Sequence, residues 1–189
     1  IAGNNGRTFT TNDIEALCRS GSSNKQRGSN TIGYRGIGFK SVVNLENKIS
    51  VFSGDFSFCF DRDKTKHSLP NYEEVPLIRV PHAIDGNQNI LRSQVSKLIS
   101  AYHYKTVFVF QDIIEEISLQ ELSSFDRSSL LFLNNLRSVL INFQNIKRNI
   151  IVEHLNHHQQ TTIKIIEAES TDEWEVETAN SNNIDRVAF

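Results

Sequence analysis

The sequence predicts an α+β fold, a two-layer α/β sandwich of helices on a β-sheet. Two patterns carry that prediction. Up to Leu136 helical and strand signals are interleaved, without the regular βαβ alternation that a doubly wound parallel sheet requires. From Ser138 onward four strand signals follow one another across short polar breaks, as in a meander. The chain has 189 residues, 38% of them hydrophobic and 22% charged, enough for one ordinary domain with a core and a usual soluble surface.

Taken in order, Asn4-Asn5-Gly6 signals a tight turn. Asn12 and Glu15 fit an Asn-x-x-Glu capping box ahead of the apolar positions Ile14 and Leu17, so a helix starts there. Ser20 to Thr31 holds no apolar residue and reads as a solvated loop. Helical spacing resumes from Gly36 to Leu45. Lys48 to Ser53 and Asp55 to Asp61 read as a hairpin, because Phe56, Phe58 and Phe60 alternate with Ser57 and Cys59. All three prolines fall between residues 62 and 90, with a short strand expected from Leu77 to Val80. Arg92 to Tyr102 is helical by its Val95, Leu98 and Ile99, and Thr106 to Phe110 is an apolar, β-prone buried strand. Ser118 to Leu136 reads as helix in one or two pieces. Ser138–Phe143, Asn149–Leu155, Thr161–Ala168 and Glu173–Thr178 complete the meander.

Composition excludes several classes. A net charge of −2 gives no bulk basic field for nucleic acid or acidic membrane. No apolar run reaches the roughly 18 residues of a membrane span. Cys18 and Cys59 make neither a disulfide framework nor a zinc-ligand set. Cys18 reads as a small hydrophobe on a helix, and Cys59 as facing away from the phenylalanines. His154, His157 and His158 read as a polar hairpin tip more simply than as a metal site, and Trp174 as a strand residue packing on one face. The chain has no methionine and begins Ile1-Ala2-Gly3, so it reads as a piece of a longer protein.

The sharpest motif is Gly33-Tyr34-Arg35-Gly36-Ile37-Gly38-Phe39-Lys40-Ser41. Three glycines open an apolar helix, and freed backbone N–H groups at a helix N-terminus form an anion site. The spacing is neither that of the P-loop nor that of the dinucleotide fingerprint. Ahead of it lie the Asn4-x-Gly6 turn and Ser23-Asn24-Lys25. After it come Phe60-Asp61 at the end of the hairpin, Lys105-Thr106 at a strand start, and the leucine-rich stretch Ser129 to Leu136.

In that fixed order these segments resemble the ATP site of the GHKL superfamily, and within it the sacsin-like and NO VEIN-like histidine-kinase-type ATPase domains. The resemblance implies the Bergerat fold, with helices on a mixed, mostly antiparallel sheet. Residues 1–143 would be the ATP-binding core and 144–189 a β-rich continuation of the same domain. Asn4 takes the place of the family's adenine-binding Asp and keeps an acceptor oxygen without the charge. Gly6 stands at the first glycine of that box and Thr8 at the second. Gly33, Gly36 and Gly38 would form the second box, with backbone N–H groups from Gly36, Ile37, Gly38 and Phe39 meeting the β- and γ-phosphates. Ser20 to Ile32 would be a lid carrying Ser23 and Lys25, the lysine reaching the phosphates as a point charge. Lys40 is read as facing water or a salt bridge. Thr106 matches the threonine that bonds the Asp and a water near adenine.

The family's catalytic Glu and its Mg²⁺-binding Asn sit on a helix before the first glycine box, and no residue here matches them. The expected function is therefore an ATP-binding module of a larger protein, coupling nucleotide to conformational change in neighbouring domains. Hydrolysis and the Mg²⁺ ligand are assigned to the parent protein, and an intracellular, cytoplasmic setting is expected. The other reading is a protein-interaction module of the same fold that has lost nucleotide. Asn4 for Asp and Thr8 for Gly support it.

Overall fold

The computed structural model describes residues 1–19, 47–73, 75–84, 89–111, 113–133, 135–157, 160–167, 170–178 and 186–188. The expected lid and the helix from Gly36 to Leu45 lie outside them. Among the described residues, those up to Ile113 form one compact unit and those from Ile114 a second.

The first unit contains β1 (Ala2–Asn4), α1 (Thr11–Cys18), β2 (Lys48–Ser53), β3 (Phe56–Asp61), α2 (Arg62–Ser68), β4 (His82–Ala83), α3 (Asn89–Tyr102) and β5 (Thr106–Gln111). Its strands form an antiparallel sheet in the order β1-β5-β2-β3-β4. The period of two in the hairpin sorts its residues onto two faces. On one face Ile49, Val51, Phe58 and Phe60 pack with Leu77 and Ile78 and with Ile14, Leu17 and Cys18 of α1. On the other, Phe52, Cys59, Val107 and Val109 pack with Val95, Leu91 and Ile99 of α3. Cys59 thus faces away from the phenylalanines, as the alternation predicts. A sheet covered on both faces needs apolar residues at consecutive positions, which explains the apolar run Val107 to Phe110 of β5 and the adjacent Val51 and Phe52 of β2.

Two local expectations are corrected, and one helix is new. The cap of α1 is Thr10 with Asp13, two residues before the Asn12–Glu15 box read from the sequence. The Asp13 carboxylate accepts from the Thr10 N–H at 2.8 Å, and the Thr10 hydroxyl accepts from the Asp13 N–H. Asp13 prevails because its short side chain reaches the cap while also holding Arg7. Residues 77–80 form turns, not a strand; Leu77 and Ile78 are still buried. Pairing to β3 begins only beyond Pro81, at His82 and Ala83, since proline has no N–H to give the ladder. Helix α2 was not read from its polar sequence. Asp61 caps it by accepting from the Lys64 N–H at 3.1 Å, and Lys48 pairs with the same carboxylate at 3.5 Å. The Phe60-Asp61 dipeptide therefore ends the hairpin and starts a helix in one step.

The second unit contains α4 (Glu115–Ser123), a 3₁₀ helix (Arg127–Phe132) and the meander β6 (Ser138–Phe143), β7 (Ile146–His157), β8 (Gln160–Glu167), β9 (Ser170–Thr178) and β10 (Arg186–Ala188), every neighbour antiparallel. The sequence predicts the first four of these strands; the helical stretch, read as one or two pieces, is two. Leu130 and Leu131 pack on Ile150, Val152, Ile163 and Ile165, which gives the leucine-rich stretch its purpose. Trp174 stands opposite Ile163 in the ladder.

An ion pair between β7 and β8 also holds the helical cover, through a backbone carbonyl and Arg127. Arg148 meets Glu167 through Nε at 2.5 Å and Nη2 at 2.9 Å, and its Nη1 donates to the Phe125 carbonyl at 2.8 Å. The Arg148 hydrogen bonds hold the Glu167 carboxyl below its ordinary range, with the charges of Arg148 and Arg127 adding to the effect.

The α+β class is thus present, with helices on antiparallel sheets. Phe60→Ala is expected to cost about 3–5 kcal/mol in urea unfolding, whereas Leu140→Ala on the exposed face of β6 costs under about 0.5 kcal/mol. The depressed Glu167 carboxyl adds stability above its unfolded pKa, near 4.5, that is lost as pH falls through the lower folded value. Glu167→Gln should flatten the acid limb of a stability–pH curve below that point.

Candidate functional site

The site is best built from Asn4. It ends β1 directly opposite Thr106, the first residue of β5. The resemblance assigns these two residues to one end of the nucleotide, and the fold makes them ladder partners across 102 positions of sequence. The Lys105 N–H donates to the Asn4 carbonyl at 2.7 Å. Beyond Asn4 the chain leaves the sheet in an exposed turn, and the Gly6 N–H bonds back to Asn4 Oδ1 at 3.3 Å. This self-contained bond is what Asn-x-Gly turns favour.

The turn is held at four further points. Arg7 grips Asp13 with both terminal nitrogens at 2.6 Å, tying the turn to the cap of α1. Thr8 leans on Gly54, the φ +57° residue of the hairpin turn; a β-carbon there would sit 3.2 Å from the Thr8 side chain. The Phe9 N–H donates to the Ser53 hydroxyl at 2.8 Å. The Phe9 ring meets Phe108 edge-on, centroids 6.1 Å apart.

Behind the turn, Ser53 Oγ and Thr106 Oγ1 lie 2.6 Å apart, and both residues are fully or almost fully buried. The Thr106 hydroxyl is thus engaged with Ser53 and sits behind the turn, while Asn4 and Gly6 are on the surface. Before the turn, the Tyr104 ring lies over Gly3, close enough that a β-carbon would meet it at 2.5 Å.

Of the candidates read from the sequence, Asn4, Gly6 and Thr106 are brought together. Ser23, Lys25, Gly33, Gly36, Ile37, Gly38, Phe39 and Lys40 lie outside the described residues. Sequence reasoning passed over Ser53, Gly54, Arg7 and Asp13. Their signals were present but local: Ser53-Gly54 at a hairpin turn, and a basic residue six positions before a helix-capping acid. His154 and His157 both lie on β7, and His158 is outside the described residues. No metal-binding group of acids, cysteines and histidines occurs among the described residues. None of the described helices is long and apolar enough to cross a membrane.

Residues 1–96 match the Sacsin domain model. The chain belongs to that family. It is also 28% identical over 158 residues to Protein NO VEIN of Arabidopsis thaliana. That alignment covers 80% of this chain but only 5% of the plant protein, so the chain spans a small part of the curated relative it matches. No solved structure matches it. The family match takes in the turn at Asn4–Phe9, the hairpin and α1, all of which build the site.

Thr8 stands where the resemblance expects glycine, and the side-chain-free position is instead Gly54 across from it. Gly54→Ala forces a β-carbon both into positive φ and against Thr8. It should cost about 1–2 kcal/mol in denaturant unfolding, more than an alanine at the exposed Gly6.

Proposed function

We propose that this chain is a GHKL-type ATP-binding module within a larger sacsin-domain protein. The observation that carries the reading is the pairing of Asn4 with Thr106 beside an exposed, firmly anchored turn. Residues that the resemblance gives to the adenine end, remote in sequence, share one end of the sheet. The Asn4 carboxamide offers an acceptor and a donor to a purine edge. The Gly33–Phe39 segment would supply backbone N–H groups to the phosphates, with Ser23 and Lys25 above them. Binding would be coupled to the contacts of neighbouring domains, a chaperone-like use of nucleotide.

Mg²⁺ would accompany the phosphates as the nucleotide's counter-ion. The proposal for this chain is binding. Hydrolysis needs a general base, worth roughly 10²–10⁴-fold in rate, and the resemblance assigns none of these residues to that role.

The second reading, an interaction module without nucleotide, has one specific observation in its favour. Asn4 Oδ1 is already used by Gly6, and the Thr106 hydroxyl by Ser53. One titration separates the two. If ATP binds, saturation at about 100 times Kd adds about 2.7 kcal/mol of stability, a melting rise of roughly 5–10 °C for a chain of this size. Gly36→Val with Gly38→Val should abolish that rise without lowering the unliganded melting point. No rise at millimolar ATP with Mg²⁺ would leave the interaction reading standing.

A further inference from the structure

The strongest unexplained feature is the buried hydroxyl pair behind the Asn4–Phe9 turn. Ser53 Oγ has three neighbours: Thr106 Oγ1 at 2.6 Å, the Phe9 N–H at 2.8 Å and the Lys105 carbonyl at 3.4 Å. It accepts from Phe9, so its own proton goes to Thr106 or to Lys105. These three partners come from three places: the strand end of β5, the residue before it, and the returning arm of the turn. Asn4 is fixed to the same strand end by the Lys105 N–H. Both arms of the turn therefore converge on one short stretch, Lys105-Thr106, one directly and one through Ser53. Ser53 is the hydrogen-bond partner of the Phe9 N–H; the returning arm is further held by the Arg7–Asp13 pair, by Thr8 against Gly54 and by the Phe9–Phe108 ring contact.

We propose that Ser53 is a positioning residue for purine recognition, holding the Asn4–Phe9 turn at a fixed opening through Phe9 and Thr106. The inference rests on the nucleotide reading and assigns a role to a residue that touches no ligand. Asn4 touches the base and is held directly by Lys105; Ser53, through Phe9, sets where the returning arm stands and so how far the turn opens beside Asn4. Burial of Ser53 and Thr106 makes the device stiff, because a buried hydroxyl that loses its partner has no water to replace it. Thr106 is the partner that fixes the Ser53 hydroxyl, and the two act as one unit.

The test compares ATP with tripolyphosphate, which carries the phosphates without the base, by calorimetry on the full chain. Ser53→Ala should weaken ATP about tenfold, the effect of losing one buried hydrogen-bond anchor, and leave tripolyphosphate within about twofold. In a Thr106→Val background, adding Ser53→Ala should cost little further, since members of one unit are not additive. Ser53→Cys, near in size but a weak acceptor, carries the comparison should alanine unfold the chain; the same selective loss is expected. Unchanged ATP affinity, equal loss of both ligands, or additive losses with Thr106→Val would each overturn the role of Ser53 while leaving the nucleotide reading in place. A wild-type chain that binds neither ligand would overturn that reading, and this inference with it.

Discussion

The register between Lys48–Ser53 and Thr106–Gln111 governs the first unit. Pairing Ser53 with Thr106 and Lys48 with Gln111 decides which residues face α1 and which face α3. A slip of one residue would send every side chain of one strand to the opposite face. Because both faces are buried, a slip of Lys48–Ser53 would exchange Val51 for Phe52 against different helices. It would also separate the two hydroxyls at the end of the ladder. The same alignment that satisfies the core thus places the only buried hydroxyl pair among the described contacts beneath the turn.

Strand β1 shows how slight the anchoring of function to fold can be. It has three residues, all exposed, and little apolar area to offer. Its place is set by backbone pairing to β5, by Tyr104 lying over Gly3, and by the Arg7–Asp13 pair that links the turn to α1. An exposed ion pair of this kind is worth about 1 kcal/mol or less. Its bidentate geometry fixes direction more than it adds stability. Strand β1 itself is therefore located by several weak, directional contacts rather than by burial of its own side chains.

The larger pattern was legible because burial writes it into sequence. Alternation at Phe56, Phe58 and Phe60, the apolar run at Thr106 to Phe110, and the strand signals after Ser138 each record a face turned to a core. Features held by single polar atoms were not legible. Thr10 and Asn12 are both good caps, and only the reach of Asp13 to Thr10 decides between them. Helix α2 has one fully buried residue, Thr65, so no periodicity announces it. Strand β1 carries no β-branched residue. Of the site, Asn4, Gly6 and Thr106 came from resemblance, and their adjacency came from the fold. Ser53 and Gly54 escaped because a buried serine and a turn glycine resemble any others until their partners are known.

The account turns on the claim that the Asn4–Phe9 turn faces a nucleotide. The most direct measurement is an amide-resolved NMR titration of the chain with a non-hydrolysable ATP analogue and Mg²⁺. The account predicts saturable shifts concentrated at Asn4, Gly6, Thr106 and the Gly33–Ser41 segment. The meander from Ser138 to Thr178 should stay unperturbed. Shifts confined to the meander, or none at saturating analogue, would contradict it.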